Sequence, residues 1–124
     1  MSCLQYRNAE LYIENVSLKS IAQEFGTPCY IYSRAAIEDN WKTFDEAFSD
    51  IKHRICYAVK ANSNIAILNL LSKLNSGFDV VSLGEIRRVI AAGGDTRKIV
   101  FSGVGKSRNE IEHAIENKIY CLIK

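Results

Sequence analysis

The chain has 124 residues, of which 48% are hydrophobic and 24% charged, so we expect a folded domain of modest size. Its 16 basic and 14 acidic residues are scattered along the chain and give a formal charge of +2, which argues against a nucleic-acid partner. There is no charged leader before an apolar stretch and no apolar run of bilayer length, so we expect a soluble cytoplasmic protein without a membrane partner.

The first 54 residues predict a mixed segment. Residues 11–13 are typical of a short strand, residues 17–25 of a helix that Gly26 ends, and residues 28–32 of an edge or first strand. A longer helix is predicted to begin near Ser33. Its apolar residues recur at spacings of four, three and four, forming one stripe that predicts core packing rather than a ligand platform: Ile37, Trp41, Phe44 and Phe48.

From residue 55 onward, short β-branched or aromatic runs alternate with segments of helical period. The starts of the predicted strands are separated by 23, 21 and 20 residues, and the strands are 55–60, 78–82, 99–103 and 119–123. The predicted helices between them are 65–74, 84–92 and 107–117. A series of this kind implies parallel strands joined by right-handed crossovers.

The joints of this series carry residues typical of helix ends. Residues 82–85 and 107–110 both fit the capping box, in which a serine hydroxyl and a glutamate satisfy free backbone amides. Gly77 and the pair Gly93-Gly94 mark predicted helix ends.

The series predicts an α/β fold, because parallel sheets are covered by helices and close as an eight-stranded barrel or open as a doubly wound sheet. No Gly-x-Gly-x-x-Gly fingerprint follows a predicted strand. A complete (β/α)8 barrel needs about 250 residues. We therefore expect at most the first half of a barrel, and an incomplete chain.

Lys60 closes the apolar run Ile-Cys-Tyr-Ala-Val, where a strand is expected to leave a buried sheet. Burial favours the neutral amine, which is the nucleophile that forms a Schiff base with a carbonyl such as that of pyridoxal phosphate. Side-chain alternation would place Ala58 and Cys56 on the same face as Lys60. The alternative is a strand-ending lysine whose ammonium reaches water.

The cysteines and histidines do not predict a metal site. The four cysteines are widely spaced and form no Cys-x-x-Cys pair, and neither His53 nor His113 lies at a metal-ligand spacing from them. We interpret the cysteines as reduced, and those within apolar runs as core residues.

Four segments, 25–37, 57–64, 76–93 and 98–111, closely resemble the diaminopimelate decarboxylase family of fold-type III pyridoxal-phosphate enzymes. The resemblance covers nearly the whole chain, with motifs in matching order and at matching intervals. It implies the amino-terminal part of a (β/α)8 barrel of the alanine racemase-like type, with pyridoxal 5'-phosphate as cofactor.

By the same resemblance, Lys60 binds the cofactor covalently, and Asp79 lies close to that lysine and assists proton movement. The alternative for Asp79 is a strand-start aspartate that binds backbone amides of the preceding turn. Glu85 corresponds to an acidic position near the cofactor, although its place three residues after Ser82 also explains it as a helix cap.

The implied activity of the full-length protein is decarboxylation of meso-diaminopimelate to L-lysine in lysine biosynthesis, by a homodimer acting on a small amino acid. Residues 1–34 would pack with a carboxy-terminal β-domain, and residues 35–124 would be the first half of the barrel. The ligands of the phosphate, the pyridine nitrogen and the substrate carboxylate would lie beyond Lys124. We therefore expect the 124-residue chain alone to be inactive.

Three alternatives remain open at this point. The parent protein could be an ornithine- or arginine-type decarboxylase, because substrate-length selection lies mostly outside these residues. It could also be a non-catalytic homologue that binds pyridoxal phosphate, or the chain could be a decayed remnant that binds nothing.

Overall fold

The computed structural model of the chain describes residues 3–121. These residues form two compact units, divided between Glu46 and Ala47. The predicted domains, 1–34 and 35–124, refer to packing within a longer protein and stay a prediction.

The first unit begins with a small antiparallel sheet. Strands β1 (Leu4–Arg7), β2 (Glu10–Ile13) and β3 (Val16–Ser17) pair in the order β1-β2-β3. Only β2 was predicted from the sequence. The sequence of β1, Leu-Gln-Tyr-Arg, does alternate, but over only four residues, and all four are exposed, so no apolar face is buried there.

Helix α1 (Leu18–Phe25) confirms the predicted helix and its end. Gly26 has a φ of 79°, which glycine adopts without strain, and its N–H donates to Ala22 O at 3.0 Å. The strand predicted over residues 28–32 is wrong, because those residues are in no strand or helix. Pro28 has no N–H to donate to a ladder, and Tyr30 is 92% exposed.

Helix α2 (Arg34–Ala47) begins where it was predicted, but its apolar stripe is not the buried core that we expected. Within the described residues Phe44 is 56% exposed, and Phe48 lies beyond the end of the helix and is 40% exposed. A helical apolar period shows which residues share a face, but it does not supply a surface that covers them.

The second unit is a four-stranded parallel sheet in the order β4-β5-β6-β7, with strands β4 (Cys56–Ala58), β5 (Gly77–Val80), β6 (Ile99–Phe101) and β7 (Tyr120–Cys121). The intervening helices are α3 (Ile65–Lys73), α4 (Leu83–Ala91) and α5 (Arg108–Glu116). The predicted βαβαβαβ order is confirmed. The predicted strands were too long at their carboxyl ends, and the part of the last one over residues 122–123 lies outside the described residues.

The two faces of this sheet differ in burial. One face carries side chains with no exposed surface: Phe78, Val80, Ile99 and Phe101. The register sets Ala58 opposite Asp79 and Asp79 opposite Val100, and these three residues on the other face are only half-buried. Helices α3 and α4 pack together, and α4 also contacts β5. The core of this unit therefore lies on the Phe78 face.

The predicted helix starts are present, with one correction. At α5 both halves of the capping box are formed by Ser107 and Glu110. At α4 the Ser82 hydroxyl accepts from the Glu85 N–H at 3.2 Å, but the Glu85 carboxylate accepts from the Val81 N–H at 2.8 Å instead of the Ser82 N–H. The turn after β5 brings the Val81 amide within reach, so the carboxylate binds one residue earlier than the motif predicts.

Gly77 was predicted to mark a helix end but is the first residue of β5. A Cβ at this position would lie 2.7 Å from Lys98 O and 2.8 Å from Cys56 Sγ. The glycine is therefore needed because neighbouring strands approach closely. Gly93, with a φ of 81°, does follow helix α4 as predicted.

Candidate active site at the carboxyl edge of the parallel sheet

Lys60 lies in a single 3-10 turn, Val59–Ala61, that directly follows β4. Strand alternation was expected to set Lys60 on the same face as Ala58, but the strand ends at Ala58, so the alternation does not reach the lysine. The neighbouring Val59 has no exposed surface, whereas Lys60 is exposed. Among the described residues nothing buries Lys60, so the expected loss of hydration does not occur. The turn directs Val59, not the lysine, into the core.

The polar turn after Lys60 is closed by its own side chains. Asn62 Oδ1 accepts from the Asn64 N–H at 3.0 Å, and Asn64 Oδ1 accepts from the Ala66 N–H at 2.9 Å, which caps helix α3. The Tyr57 hydroxyl donates to Asn62 O at 3.3 Å. The bond between Tyr57 and Asn62 thus links the two ends of the turn that contains Lys60.

Asp79 lies one strand away, in the middle of β5. It is opposite Ala58, the last residue of the strand that leads to Lys60. Its Oδ1 atom is buried and has no hydrogen-bond partner within residues 3–121. The alternative interpretation, in which the carboxylate binds amides of the preceding turn, therefore does not hold for Oδ1.

A buried acceptor without a donor costs about 1–3 kcal/mol, and more when the group is charged. Such an atom in a native fold requires an explanation. Here Asp79 lies on the half-buried face of the sheet, beside β4, the strand that ends just before the Lys60 turn. The exposed Lys60 amine would hold a carbonyl cofactor, and the buried Asp79 oxygen would accept a hydrogen bond from a protonated group of such a ligand. The residues present are therefore compatible with pyridoxal phosphate.

Glu85 is the third residue predicted to contact the cofactor. Its Oε2 accepts from the Val81 N–H at 2.8 Å, and its own N–H donates to Ser82 Oγ at 3.2 Å. Both bonds belong to the start of α4, which supports the interpretation of Glu85 as a helix cap. Its contact with a cofactor stays a prediction.

Two contacts between successive βα units were not predicted from the sequence. Glu110 on α5 accepts from the Leu83 N–H on α4 at 3.0 Å, and Arg88 on α4 donates to Ser63 O in the turn after Lys60 at 3.4 Å. The capping-box motif identified the local role of Glu110. It gave no signal for the second bond, which spans 27 residues of sequence.

Two side chains of this unit have altered pKa values: Cys56, at the amino end of β4, and Glu110, near the start of α5. Burial raises the pKa of the Cys56 thiol. Backbone N–H groups of Ser107 and Leu83, together with the Ser107 hydroxyl, lower the pKa of Glu110. Ionised Glu110 is therefore favoured by its donors.

Residues 3–121 offer neither a candidate metal site nor a candidate membrane-spanning helix. These residues contain no group of three or more His, Cys, Asp or Glu side chains that could hold a metal ion. None of the described helices is long and apolar enough to cross a membrane.

Comparison with known proteins identifies a family and a fold. Residues 34–123 match the family described as "Pyridoxal-dependent decarboxylase, pyridoxal binding domain". The chain is 54% identical over 121 residues to a diaminopimelate decarboxylase of Haemophilus influenzae, an alignment that covers 98% of this chain and 29% of the relative.

Solved structures are similar over nearly the whole chain. A crystal structure of an Aquifex aeolicus protein matches with a TM-score of 0.92 at 43% identity, covering 98% of this chain and 30% of that one. A diaminopimelate decarboxylase from M. jannaschii in complex with L-lysine matches with a TM-score of 0.93 at 34% identity, covering 97% and 29%. The predicted α/β fold, the amino-terminal part of a (β/α)8 barrel, is confirmed. The chain spans about 29% of the length of the curated relatives it matches.

Proposed function

The chain belongs to the pyridoxal-dependent decarboxylase family, in its pyridoxal-binding domain, and from this premise we propose that it supplies the lysine that binds pyridoxal phosphate in a longer amino-acid decarboxylase. Lys60 is the residue we assign to covalent attachment of the cofactor, and Asp79 the carboxylate that acts beside it. The proposed substrate is meso-diaminopimelate and the products are L-lysine and carbon dioxide.

The observation that carries this proposal is the buried, unpartnered Oδ1 of Asp79, opposite Ala58 on the strand that leads to Lys60. A carboxylate oxygen held there without a donor is suited to a protonated nitrogen that arrives with a ligand. Lys60 is exposed, so its amine is accessible to an aldehyde.

The cofactor, when bound, supplies an electron sink for the carbanion left when the substrate loses its carboxylate. The residues of this chain have three tasks. Lys60 holds the ligand at the carboxyl edge of the sheet, where barrel active sites are built. Asp79 would favour the protonated state of a ligand nitrogen brought to its buried oxygen, and the small side chain of Ala58 opposite it would leave space for the ligand. The carbon that loses carbon dioxide must gain one proton, so a proton donor beside this site is required.

The choice of substrate rests on the names of the relatives. The relatives between 46% and 54% identical, including those from Haemophilus influenzae and Aquifex aeolicus, are diaminopimelate decarboxylases. An arginine decarboxylase of Paramecium bursaria Chlorella virus shares the fold at 24% identity and a TM-score of 0.71. We therefore favour diaminopimelate over ornithine or arginine.

Covalent labelling tests the role of Lys60. The longer protein that contains this chain is incubated with pyridoxal phosphate and reduced with borohydride. The added mass is then located by peptide mapping. We expect the label at Lys60 and its loss in Lys60→Ala. Lys73→Ala is the matched control, because Lys73 is an exposed lysine in the last turn of α3. Labelling spread evenly over many lysines, or unchanged in Lys60→Ala, would contradict the proposal.

Turnover assays of the longer protein that contains this chain test the substrate. Diaminopimelate, ornithine and arginine are supplied separately, and the amine product and carbon dioxide are measured. We expect lysine from diaminopimelate and no product from the other two. Preferential turnover of ornithine or arginine would overturn the substrate assignment while leaving Lys60 labelling intact.

We also propose that the longer protein is a homodimer that acts in the cytoplasm. This rests on the family resemblance. Sedimentation equilibrium of the longer protein and fractionation of the cells that make it test the two statements separately.

A further inference from the structure

We propose that Glu110 is a positioning residue for the cofactor site, because its carboxylate fixes the turn that follows Asp79. The inference rests on the proposed function of Lys60 and Asp79. Glu110 does not itself touch the cofactor in this proposal. It acts from the next βα unit, through the start of helix α4.

The Glu110 carboxylate binds donors at the starts of two helices. Its Oε2 accepts from the Ser107 N–H at 2.9 Å and from the Ser107 hydroxyl at 2.9 Å, which begins α5. Its Oε1 accepts from the Leu83 N–H at 3.0 Å, the first residue of α4. An N-terminal amide of a helix has no partner within the helix, so an acceptor from a neighbouring unit fills a real need.

Hydrogen bonds to glutamate carboxylates therefore hold two backbone N–H groups between Asp79 and the start of α4. The Val81 N–H is bound by Glu85 at 2.8 Å and the Leu83 N–H by Glu110 at 3.0 Å. Asp79 is two residues before the first of these amides. With the Leu83 bond absent, the next βα unit holds this segment only at its strand end, where the Ser102 N–H donates to Val80 O at 2.9 Å, and the start of α4 is free to shift. The position of the Asp79 carboxylate is then less tightly defined.

Helix α4 also contacts the turn that follows Lys60. Arg88, on the second turn of α4, donates to Ser63 O at 3.4 Å. A shift of α4 would therefore reach both sides of the proposed site, Asp79 through Leu83 and the Lys60 turn through Ser63. Through its bond to the Leu83 N–H, Glu110 links α4 to the following βα unit, which consists of β6 and α5.

Glutamate is suited to this task and glutamine is not. A carboxylate offers two acceptor oxygens, one for Leu83 and one for Ser107, and the lowered pKa of Glu110 keeps both available. In Glu110→Gln one of these positions becomes an NH₂ group, which would face an N–H donor. Ser107 offers two donors and Leu83 one, so we expect the remaining carbonyl oxygen to stay with Ser107 and the Leu83 bond to be lost.

The experiment compares three variants of the longer protein that contains this chain, and it uses three measurements. Glu110→Gln breaks the double acceptor. Glu112→Gln is the matched control, because Glu112 is an exposed carboxylate on the same helix that pairs only locally with Arg108. Ser107→Ala weakens the start of α5 without removing the Leu83 bond. The measurements are amide hydrogen exchange at Leu83, the pyridoxal phosphate concentration that half-labels Lys60, and the melting temperature.

We expect Glu110→Gln to speed exchange at Leu83 and to raise the half-labelling concentration, each by about three- to tenfold, as expected for loss of one backbone hydrogen bond. Glu112→Gln should change neither. Ser107→Ala should lower the melting temperature with little change in half-labelling. If Glu110→Gln does not fold, Glu110→Asp, which keeps the charge but is one methylene too short to span both helices, gives the same comparison.

The outcomes separate the two proposals. If the unaltered protein is not labelled at Lys60, the proposed function fails. If it is labelled at Lys60 but Glu110→Gln half-labels at the same concentration as Glu112→Gln, the positioning role of Glu110 fails. Equal effects of Glu110→Gln and Ser107→Ala on half-labelling would also overturn it, because the effect would then follow stability alone.

Discussion

At the scale of single residues, Asp79 shows a conflict between stability and the proposed function. Its buried Oδ1 has no donor among the described residues, and a buried unpaired carboxylate oxygen is unfavourable for folding. Residues of this kind are expected at sites where a ligand completes the interaction.

Asp79→Asn tests this conflict directly. The amide has nearly the same size and no charge, so we expect the free energy of unfolding to stay the same or to rise by about 1 kcal/mol. In the longer protein we expect turnover to fall by about 10²- to 10⁴-fold, the usual contribution of a positioned acid or base. Thermal unfolding and steady-state assays measure the two effects. A variant that is less stable and fully active would contradict both expectations.

The pH dependence of Glu110 has a defined sign. Its hydrogen bonds with the Ser107 and Leu83 amides lower its pKa from the ordinary value of 4.5. The stabilisation by ionised Glu110 is therefore fully present above pH 4.5, and it is lost as the pH falls through the lower, folded-state pKa. As the pH falls below 4.5, we expect the difference in melting temperature between the unaltered protein and Glu110→Gln to become smaller. A difference that stays constant from neutral pH to pH 3 would argue against an ionised cap.

At the scale of elements, helix α2 begins with a cap that a distant residue completes. Ser33 is 7% exposed, its Oγ accepts from the Ala36 N–H at 3.0 Å and its hydroxyl donates to Glu14 Oε1 at 2.7 Å. The same Glu14 oxygen accepts from the Ala35 N–H at 2.9 Å. The hydrogen bond from Ser33 is the main cause of the lowered pKa of Glu14.

We expect Ser33→Ala to lower the free energy of unfolding by about 1–2 kcal/mol, because the helix loses its N-cap and Glu14 loses a donor. Chemical denaturation measures the change. Ser20→Ala is the control, because Ser20 is exposed in the first turn of helix α1 and is not its N-cap. Equal stability of the two variants would show that the cap contributes nothing.

The spacing between neighbouring strands depends on Gly77. A methyl group there would overlap Lys98 O and Cys56 Sγ, so we expect Gly77→Ala to destabilise the parallel sheet by about 1–3 kcal/mol. Gly105→Ala is the matched control, since nothing lies within 4 Å of a Cβ at Gly105. Thermal unfolding of both variants decides the matter, and a fully stable Gly77→Ala would require that the strands move apart without cost.

At the scale of the whole molecule, the four-stranded sheet has two open sides. Within residues 3–121, β4 and β7 each pair with one strand only, and Tyr120 on β7 is 63% exposed. Unpaired strand edges are sites of association.

We therefore expect the purified 124-residue polypeptide to self-associate and to produce no measurable lysine from diaminopimelate, because four strands cannot enclose a ligand as eight do. Sedimentation velocity over a range of concentrations tests the first statement and a product assay the second. A monodisperse monomer would refute the association, and measurable lysine would refute the need for the rest of the barrel.

The sequence by itself determined the order of elements in the second unit, the helix starts at Ser82 and Ser107, and the family. These are local properties, since apolar periodicity and capping residues act over a few positions, and the motifs around Lys60 and Asp79 are contiguous. The exposed strand β1 and the absence of a strand at residues 28–32 were not predictable in this way, because pairing there depends on partners and not on an apolar pattern.

Only the tertiary structure decided how the candidate site is built. It ended β4 at Ala58, so that Lys60 lies on an exposed turn, and it set Asp79 opposite Ala58 with a buried oxygen that has no donor among the described residues. It also brought Glu110 to Leu83 across 27 residues. Strand ends, register and contacts between units arise from the packing of segments far apart in sequence, which no local pattern encodes.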